Sequence, residues 1–151
     1  MKLSTRGRYA LRLMLDLALQ PEGSCTSLRA VSGRQEISLK YLEQIVTPLA
    51  RIGYVRSVRG AQGGYPLTMP PEDYTVGMIL RTIEGSLAPI ACLSHDAPPC
   101  PRQPLCVTVE VYRRIDGAID QVVDHITLAD LVAWQHQKWD AANIPYDAAQ
   151  P

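Results

Sequence analysis

Three of the four cysteines fall within one stretch, LAPIACLSHDAPPCPRQPLC, as Cys92, Cys100 and Cys106, with seven and five residues between successive thiols. Five of the twelve prolines stiffen the same segment, which has neither a helical nor an alternating period and reads as a loop. Thiolates are the usual ligands of iron–sulfur clusters, and three of them in one loop can converge on a metal. No pair has the two-residue spacing of zinc knuckles or thioredoxin-like sites. The residues alone therefore leave iron–sulfur ligation, zinc, a disulfide and free or redox-active thiols open. Nothing in the spacing suggests a Cys/His/Asp arrangement for nucleophilic catalysis, so no catalytic residue is assigned and the chain does not read as an enzyme. Cys25, isolated between two helical segments, is expected as a small, partly buried hydrophobe, and His125 and His136 as structural or exposed residues.

A second surface carries different chemistry. The segment ISLKYLEQIVTPLARIG, 37–53, places Leu39, Leu42, Ile45, Val46 and Leu49 at helical spacing behind an N-cap at Ser38, leaving Lys40, Glu43, Gln44 and Thr47 facing out. Such side chains match the donor and acceptor patterns of base edges in a major groove; the plainer reading is a solvated face. What favours the first is the segment directly downstream. Two short alternating runs, 54–58 and 65–68, enclose RGAQGG, a hairpin whose thin tip, with Arg56, Arg59 and Gln62, can enter a minor groove or lie along phosphates. GAQGG is not a phosphate loop, because no Gly-Lys-Ser/Thr follows and it joins two strands. Pro48 inside the helical segment predicts a bend, with a short helix leading into a kinked second half.

These surfaces need elements to position them. TRGRYALRLMLDLALQ, 5–20, puts Leu11, Met14, Leu15 and Ala18 on one helix face and stops at Pro21 and Gly23. A shorter helix fits 27–33, capped by Thr26 or Ser27 and stopped by Gly33. Helix, helix, turn, helix, hairpin is the winged helix-turn-helix order. After Pro70 and Pro71, 75–84 reads as a helix closed by Gly85. Beyond the loop, Val111, Ile115, Ala118, Ile119, Val122 and Ile126 keep a helical stripe over about four turns, and its expected partner is its own copy across a two-fold axis. A shorter helix follows over 128–137, and the tail from 141 is expected to fray. The fold class expected is mainly α with a small β-hairpin wing: a winged helix-turn-helix plus a long dimerisation helix. It divides into a DNA-binding domain at 1–84, a cysteine-containing sensor loop at 85–106, a dimerisation helix and following short helix at 107–140, and a flexible tail at 141–151.

Charge agrees with that division. The 151 residues carry no formal net charge, yet 1–68 hold ten Lys and Arg against four Asp and Glu, while 69–151 hold five against eleven. A basic head suits a polyanion, because neutralised phosphates release counterions. With 46% hydrophobic and 20% charged residues, the composition is that of a folded soluble chain. No run reaches the ~18 apolar residues of a membrane span, and Lys2, Arg6 and Arg8 precede no signal-peptide core, so a cytoplasmic location without membrane partners is expected.

The stretches STRGRYALRLMLDLAL, ISLKYLEQIVTPLARIGYVRSVRGAQGGY and TVGMILRTIEG resemble the Rrf-two family of winged-helix transcriptional regulators, with its IscR-, NsrR- and CymR-like branches, and the resemblance covers nearly the whole chain. Its specific part is Tyr41-Leu42-Glu43-Gln44 with Arg59-Gly60-x-x-Gly63-Gly64-Tyr65. The resemblance implies a homodimer on double-stranded DNA, with Glu43 and Arg59 sensing bases and Ser38, Tyr41 and Gln44 nearby. Lys40 replaces a serine of the IscR-like branch, which implies a different operator preference. The resemblance also implies an iron–sulfur cluster, 2Fe-2S or 4Fe-4S, on Cys92, Cys100 and Cys106, since cluster-binding members carry three cysteines in the equivalent loop. Positions where such members place a fourth ligand hold Val109 and Arg8 here, leaving His95, Glu110 or a residue from the other subunit. TPLARIGYVRSVRGAQGGY and IEGSLAPI are similar to the CymR-like branch, which lacks these cysteines. That likeness implies the alternative: a cluster-free repressor of cysteine and sulfur metabolism, controlled by a partner enzyme of cysteine synthesis or by thiol oxidation.

Overall fold

The computed structural model describes residues 3–144, so the expected tail lies outside the described residues from 145 onward. Ser4 caps α1 (Thr5–Ala18), its hydroxyl accepting from the Gly7 N–H at 3.2 Å. The helix packs against α2 (Leu28–Gln35), α3 (Leu39–Arg51), α4 (Val76–Glu84) and α6 (Leu128–Ala141). A helix so surrounded is buried beyond one stripe. Ala10, Leu13, Met14 and Leu17 are buried, and the expected Leu11, Leu15 and Ala18 pack partly against them.

Asp16 faces this same core and is 2% exposed. Its charge is tolerated because it is answered: Arg34 donates through Nε and Nη2, the latter at 2.6 Å, and Gln35 Nε2 adds a donor at 2.9 Å. This pairing ties α1 to α2. It also accounts for a departure from expectation at Gly33, which does not stop α2. The helix continues through Arg34 and Gln35, whose side chains reach Asp16 from its last turn, and ends at Glu36 with a left-handed φ of 53°.

Ser38 caps α3 as expected, accepting from the Tyr41 N–H at 3.3 Å, and Leu42, Ile45, Val46 and Leu49 are buried. Leu39, expected beside them, sits in the first turn and is 37% exposed. Pro48 does not divide the helix, which runs unbroken from Leu39 to Arg51. Its missing N–H deprives the Gln44 carbonyl of the helical donor, and the Arg6 guanidinium of α1 reaches that oxygen at 3.5 Å.

The hairpin after α3 pairs only at Val55 with Leu67 and at Val58 with Gly64, both antiparallel, so its strands are shorter than the alternation predicts. Two glycines make it possible. Gly60 has a φ of 110° at the tip, where a side chain would be strained. A Cβ on Gly64 would lie 2.4 Å from the Thr26 carbonyl oxygen, and the bare backbone there lets the Tyr65 N–H donate to that oxygen at 2.9 Å. At the hairpin base, the buried Tyr74 hydroxyl donates to the Tyr54 carbonyl at 2.7 Å and accepts from the Thr68 and Met69 N–H groups, each at 3.0 Å.

Thr75 caps α4, and Gly85 closes it. The Val76 N–H donates to the Ile126 carbonyl and the Leu128 N–H to the Tyr74 carbonyl, both at 2.9 Å. These bonds fix the start of α4 to the junction between α5 (Thr108–His125) and α6. Arg81 of α4 pairs with Asp120 at 2.5 Å and Asp124 at 2.6 Å on α5. Val76, Leu80 and Leu87 form a second small core that takes in Ile119, Val123 and Ile126. The stripe expected on α5 is therefore split: Ile119 and Ile126 pack within the chain, while Val111, Ile115, Ala118 and Val122 are exposed. α6 runs to Ala141, a turn past the expected end at 137. The order of three helices, a hairpin and further helices is that of a mainly α winged helix-turn-helix. No helix among the described residues is long and apolar enough to cross a membrane.

Candidate nucleic-acid interface and thiol loop

The helical period sorts α3 into two faces. With Leu42, Ile45, Val46 and Leu49 turned into the core, Lys40, Glu43, Gln44 and Thr47 are exposed on the opposite side. Thr47 Oγ1 donates to the Glu43 carbonyl at 2.7 Å within the helix, which occupies its hydroxyl proton. Ser38 is exposed, though its oxygen already caps the helix. Tyr41 is half-buried, its ring edge-on to Tyr9 of α1 with centroids 5.5 Å apart. Both residues thus hold α3 in place as well as standing beside its polar face. Arg56, Arg59 and Gln62 are exposed on the hairpin. Neither arginine, nor Lys40, is in an ion pair among the described residues. Exposed ammonium, amide and carboxylate groups on one helix face can donate to and accept from base edges, and unpaired guanidinium groups can neutralise phosphates.

One charged side chain outside the predicted set bonds to this helix. Arg6 meets Gln44 across 38 residues of sequence, a separation no local pattern reveals; the cation-rich run Arg6, Arg8, Arg12 is its sole trace in the sequence.

Two 3-10 turns, Ala91–Leu93 and Gln103–Leu105, interrupt the cysteine loop. Its thiols are free, with Cys92 exposed and Cys100 and Cys106 half-exposed. Cys25 is also exposed, contrary to expectation, because it sits in the open connection between α1 and α2 and not on an inner helix face. Cys106 Sγ lies 3.3 Å from the Thr108 hydroxyl. That hydrogen bond, together with those from the backbone N–H groups of Val109 and Thr108 and the nearby charge of Arg102, holds the Cys106 thiol below its ordinary pKa.

Nothing among the described residues of the single chain gathers the thiols. Among the described residues, no three His, Cys, Asp or Glu side chains are grouped so as to hold a metal ion. Glu110 pairs with Arg113 at 2.5 Å, and His95, His125 and His136 are exposed. The donor types fit an iron–sulfur cluster. Their arrangement does not assemble one, so a cluster bound by all three cysteines requires the loop to close around it.

Residues 3–134 match the model of the Rrf2 family, described as an iron-dependent transcriptional regulator. The transcriptional regulator CymR of Bacillus subtilis is 39% identical over 141 residues, covering 93% of this chain and 96% of that relative. The regulator IscR of Aliivibrio salmonicida is 38% identical over 132 residues, covering 87% of this chain and 77% of its own. The solved structure of CymR, described as the global cysteine regulator of B. subtilis, superposes with a TM-score of 0.73 over 89% of this chain and 98% of that one. These relatives are regulators and not enzymes. Since the likeness runs through head, hairpin and C-terminal helices alike, the chain belongs to the Rrf2 family of transcriptional regulators.

Proposed function

We propose that the chain is a cytoplasmic, homodimeric repressor that grips double-stranded DNA through Ser38, Lys40, Tyr41, Glu43 and Gln44 of α3 and Arg56, Arg59 and Gln62 of the wing. An iron–sulfur cluster on Cys92, Cys100 and Cys106 sets the strength of that grip. The observation that carries the DNA contact is the exposed polar face of α3 opposite its buried Leu42, Ile45, Val46 and Leu49. Residues 1–84 serve as the DNA-binding head, 85–106 as the sensor loop and 107–140 as the dimerisation unit, for which the exposed Val111, Ile115 and Val122 supply apolar surface. Two heads related by a two-fold axis address half-sites one helical turn or a multiple apart. A cluster would supply redox-sensitive ligation to the loop; the chain's own part is to present thiols, with Cys106 predisposed to the thiolate by its bonds to Thr108 and Val109.

A second reading keeps the DNA contact without the cluster, leaving control to a partner protein or to thiol oxidation. It is favoured by the absence of a ready ligand group among the described residues and by the likeness to CymR over 93% of the chain. Anaerobic purification followed by absorption spectroscopy and iron and sulfide analysis separates the two. A brown protein whose DNA affinity changes on cluster loss supports the first reading, and a colourless protein that binds DNA supports the second. For the DNA contact itself, Arg59→Ala is expected to weaken operator binding and selectivity in an anisotropy titration. Unchanged affinity and selectivity would defeat that assignment.

A further inference from the structure

α1 is outside the usual reading of a helix-turn-helix surface, yet its first turns carry Arg6 and Arg8, both exposed. Neither forms an ion pair among the described residues. Arg6 lies against α3, donating to the carbonyl of Gln44 that Pro48 leaves open. Arg8 has its guanidinium carbon 5.9 Å from the centre of the Tyr9 ring, and that ring in turn meets Tyr41 of α3 at 5.5 Å. Two unneutralised guanidinium groups are thus held at the flank of the helix whose outer face carries Lys40, Glu43 and Gln44.

The start of α1 is itself fixed. Glu84, at the end of α4, accepts from the Ser4 N–H at 3.0 Å and from the Ser4 hydroxyl at 2.6 Å. A Cβ at Gly7 would come within 2.2 Å of Glu84 Oε1, so the glycine admits this carboxylate to the helix start. Glu84 is engaged by Ser4 and not by either arginine.

From this placement we infer that Arg6 and Arg8 form a phosphate clamp on α1: they contact the DNA backbone beside the groove that α3 enters and fix the register in which α3 meets the bases. The inference rests on the DNA-binding reading above and adds to it a contact from a different helix. Phosphate contacts carry no sequence information, so they strengthen binding to all duplexes alike. Each neutralised phosphate contributes about 0.9 to the slope of log affinity against log salt concentration.

The test uses the full chain and two duplexes, one selected by the protein from a random pool and one of unrelated sequence, titrated by anisotropy between about 50 and 200 mM salt. For the variant carrying Arg6→Gln and Arg8→Gln, the slope is expected to become shallower by about 0.9 for each phosphate that is no longer neutralised. Affinity falls by a similar factor on both duplexes, leaving their ratio intact. Arg6→Lys keeps the slope. A merely structural role for Arg6 would lower thermal stability without moving the slope. A double variant with the wild-type slope, or one whose duplex ratio collapses at constant slope, overturns the clamp. The base-reading assignment fails separately, if Arg59→Ala leaves the duplex ratio unchanged, and a wild-type chain that holds neither duplex overturns both.

Discussion

Replacing Gly64 by alanine tests whether the wing and the helical head form one body. The added methyl would lie 2.4, 2.5 and 2.8 Å from the carbonyl oxygen, carbonyl carbon and nitrogen of Thr26. Main-chain atoms cannot swing aside as the end of a long side chain does, and ordinary contact needs roughly 1 Å more room. If the wing base withdraws that far, the Tyr65 N–H bond to Thr26, now 2.9 Å, passes out of hydrogen-bonding range. If it stays, the strain of overpacking costs about 1–3 kcal/mol; if it goes, the buried partners left unsatisfied cost about 1–3 kcal/mol. Either response puts the loss at about 1–3 kcal/mol, a large share of the roughly 5–15 kcal/mol that holds an ordinary domain folded. Urea titration followed by circular dichroism measures it, and anisotropy below the unfolding midpoint measures the effect on DNA. Because Tyr65 leaves the same hairpin that carries Arg59 at its tip, affinity is expected to fall while the variant is still folded. A stability change under about 0.5 kcal/mol, the size of an ordinary surface substitution, together with unaltered DNA binding, would refute the reasoning.

Three further changes probe separate links. Asp16→Asn leaves Arg34, whose side chain is 12% exposed, without its carboxylate and is expected to cost about 3–5 kcal/mol of stability, read from denaturant unfolding; a loss below about 1 kcal/mol would show that the pair does not join α1 to α2. Gly33→Ala adds a methyl where nothing stands within 4 Å in the middle of α2, and should raise stability by about 0.5–1 kcal/mol; a lower melting temperature would contradict the helical placement of this glycine. In the metal-free protein, iodoacetamide should modify Cys106 with a pH midpoint below that of a free cysteine, because the Thr108 hydroxyl and the Val109 and Thr108 N–H groups favour the thiolate. Thr108→Val removes the largest of these and should move the midpoint upward; no movement in a mass-spectrometric time course would discount the hydrogen bond.

How far the sequence reveals the molecule depends on whether a feature is local. Ser38 as a cap, the buried Leu42, Ile45, Val46 and Leu49 and the polar face between them follow from period and capping alone, and the structure agrees. The glycine-tipped hairpin is also legible, although the reason for Gly64 is not, because its neighbour is Thr26, far back in the chain. Gly33 misleads as a helix stop for a tertiary reason. It is judged by its intrinsic preference, whereas α2 is carried past it to residues that reach Asp16; α3 likewise remains helical on both sides of Pro48. The cysteines mark the loop without giving its closure, since a proline-rich segment has no period from which the approach of Cys92, Cys100 and Cys106 could be read.

The charge asymmetry gains meaning once each charge is placed. In the acidic half, Asp120 and Asp124 are held by Arg81, Glu110 by Arg113, and Glu84 by Ser4. In the basic half, Arg34 is turned inward to Asp16, and Arg12 is bonded to Gln35. What remains exposed and without an ion pair includes Arg6, Arg8, Lys40, Arg56 and Arg59. These five belong to α1, α3 or the wing; Arg29 of α2 and Arg114 of α5 are exposed without an ion pair as well. Among the acidic carboxylates, Asp120, Asp124 and Glu84 are occupied in joining α4 to α5 and to the start of α1. Arg81 therefore braces α4 against α5 and offsets two carboxylates at once, and a substitution that removes it is expected to loosen that brace and to leave both negative charges uncompensated, which disfavours approach to a polyanion.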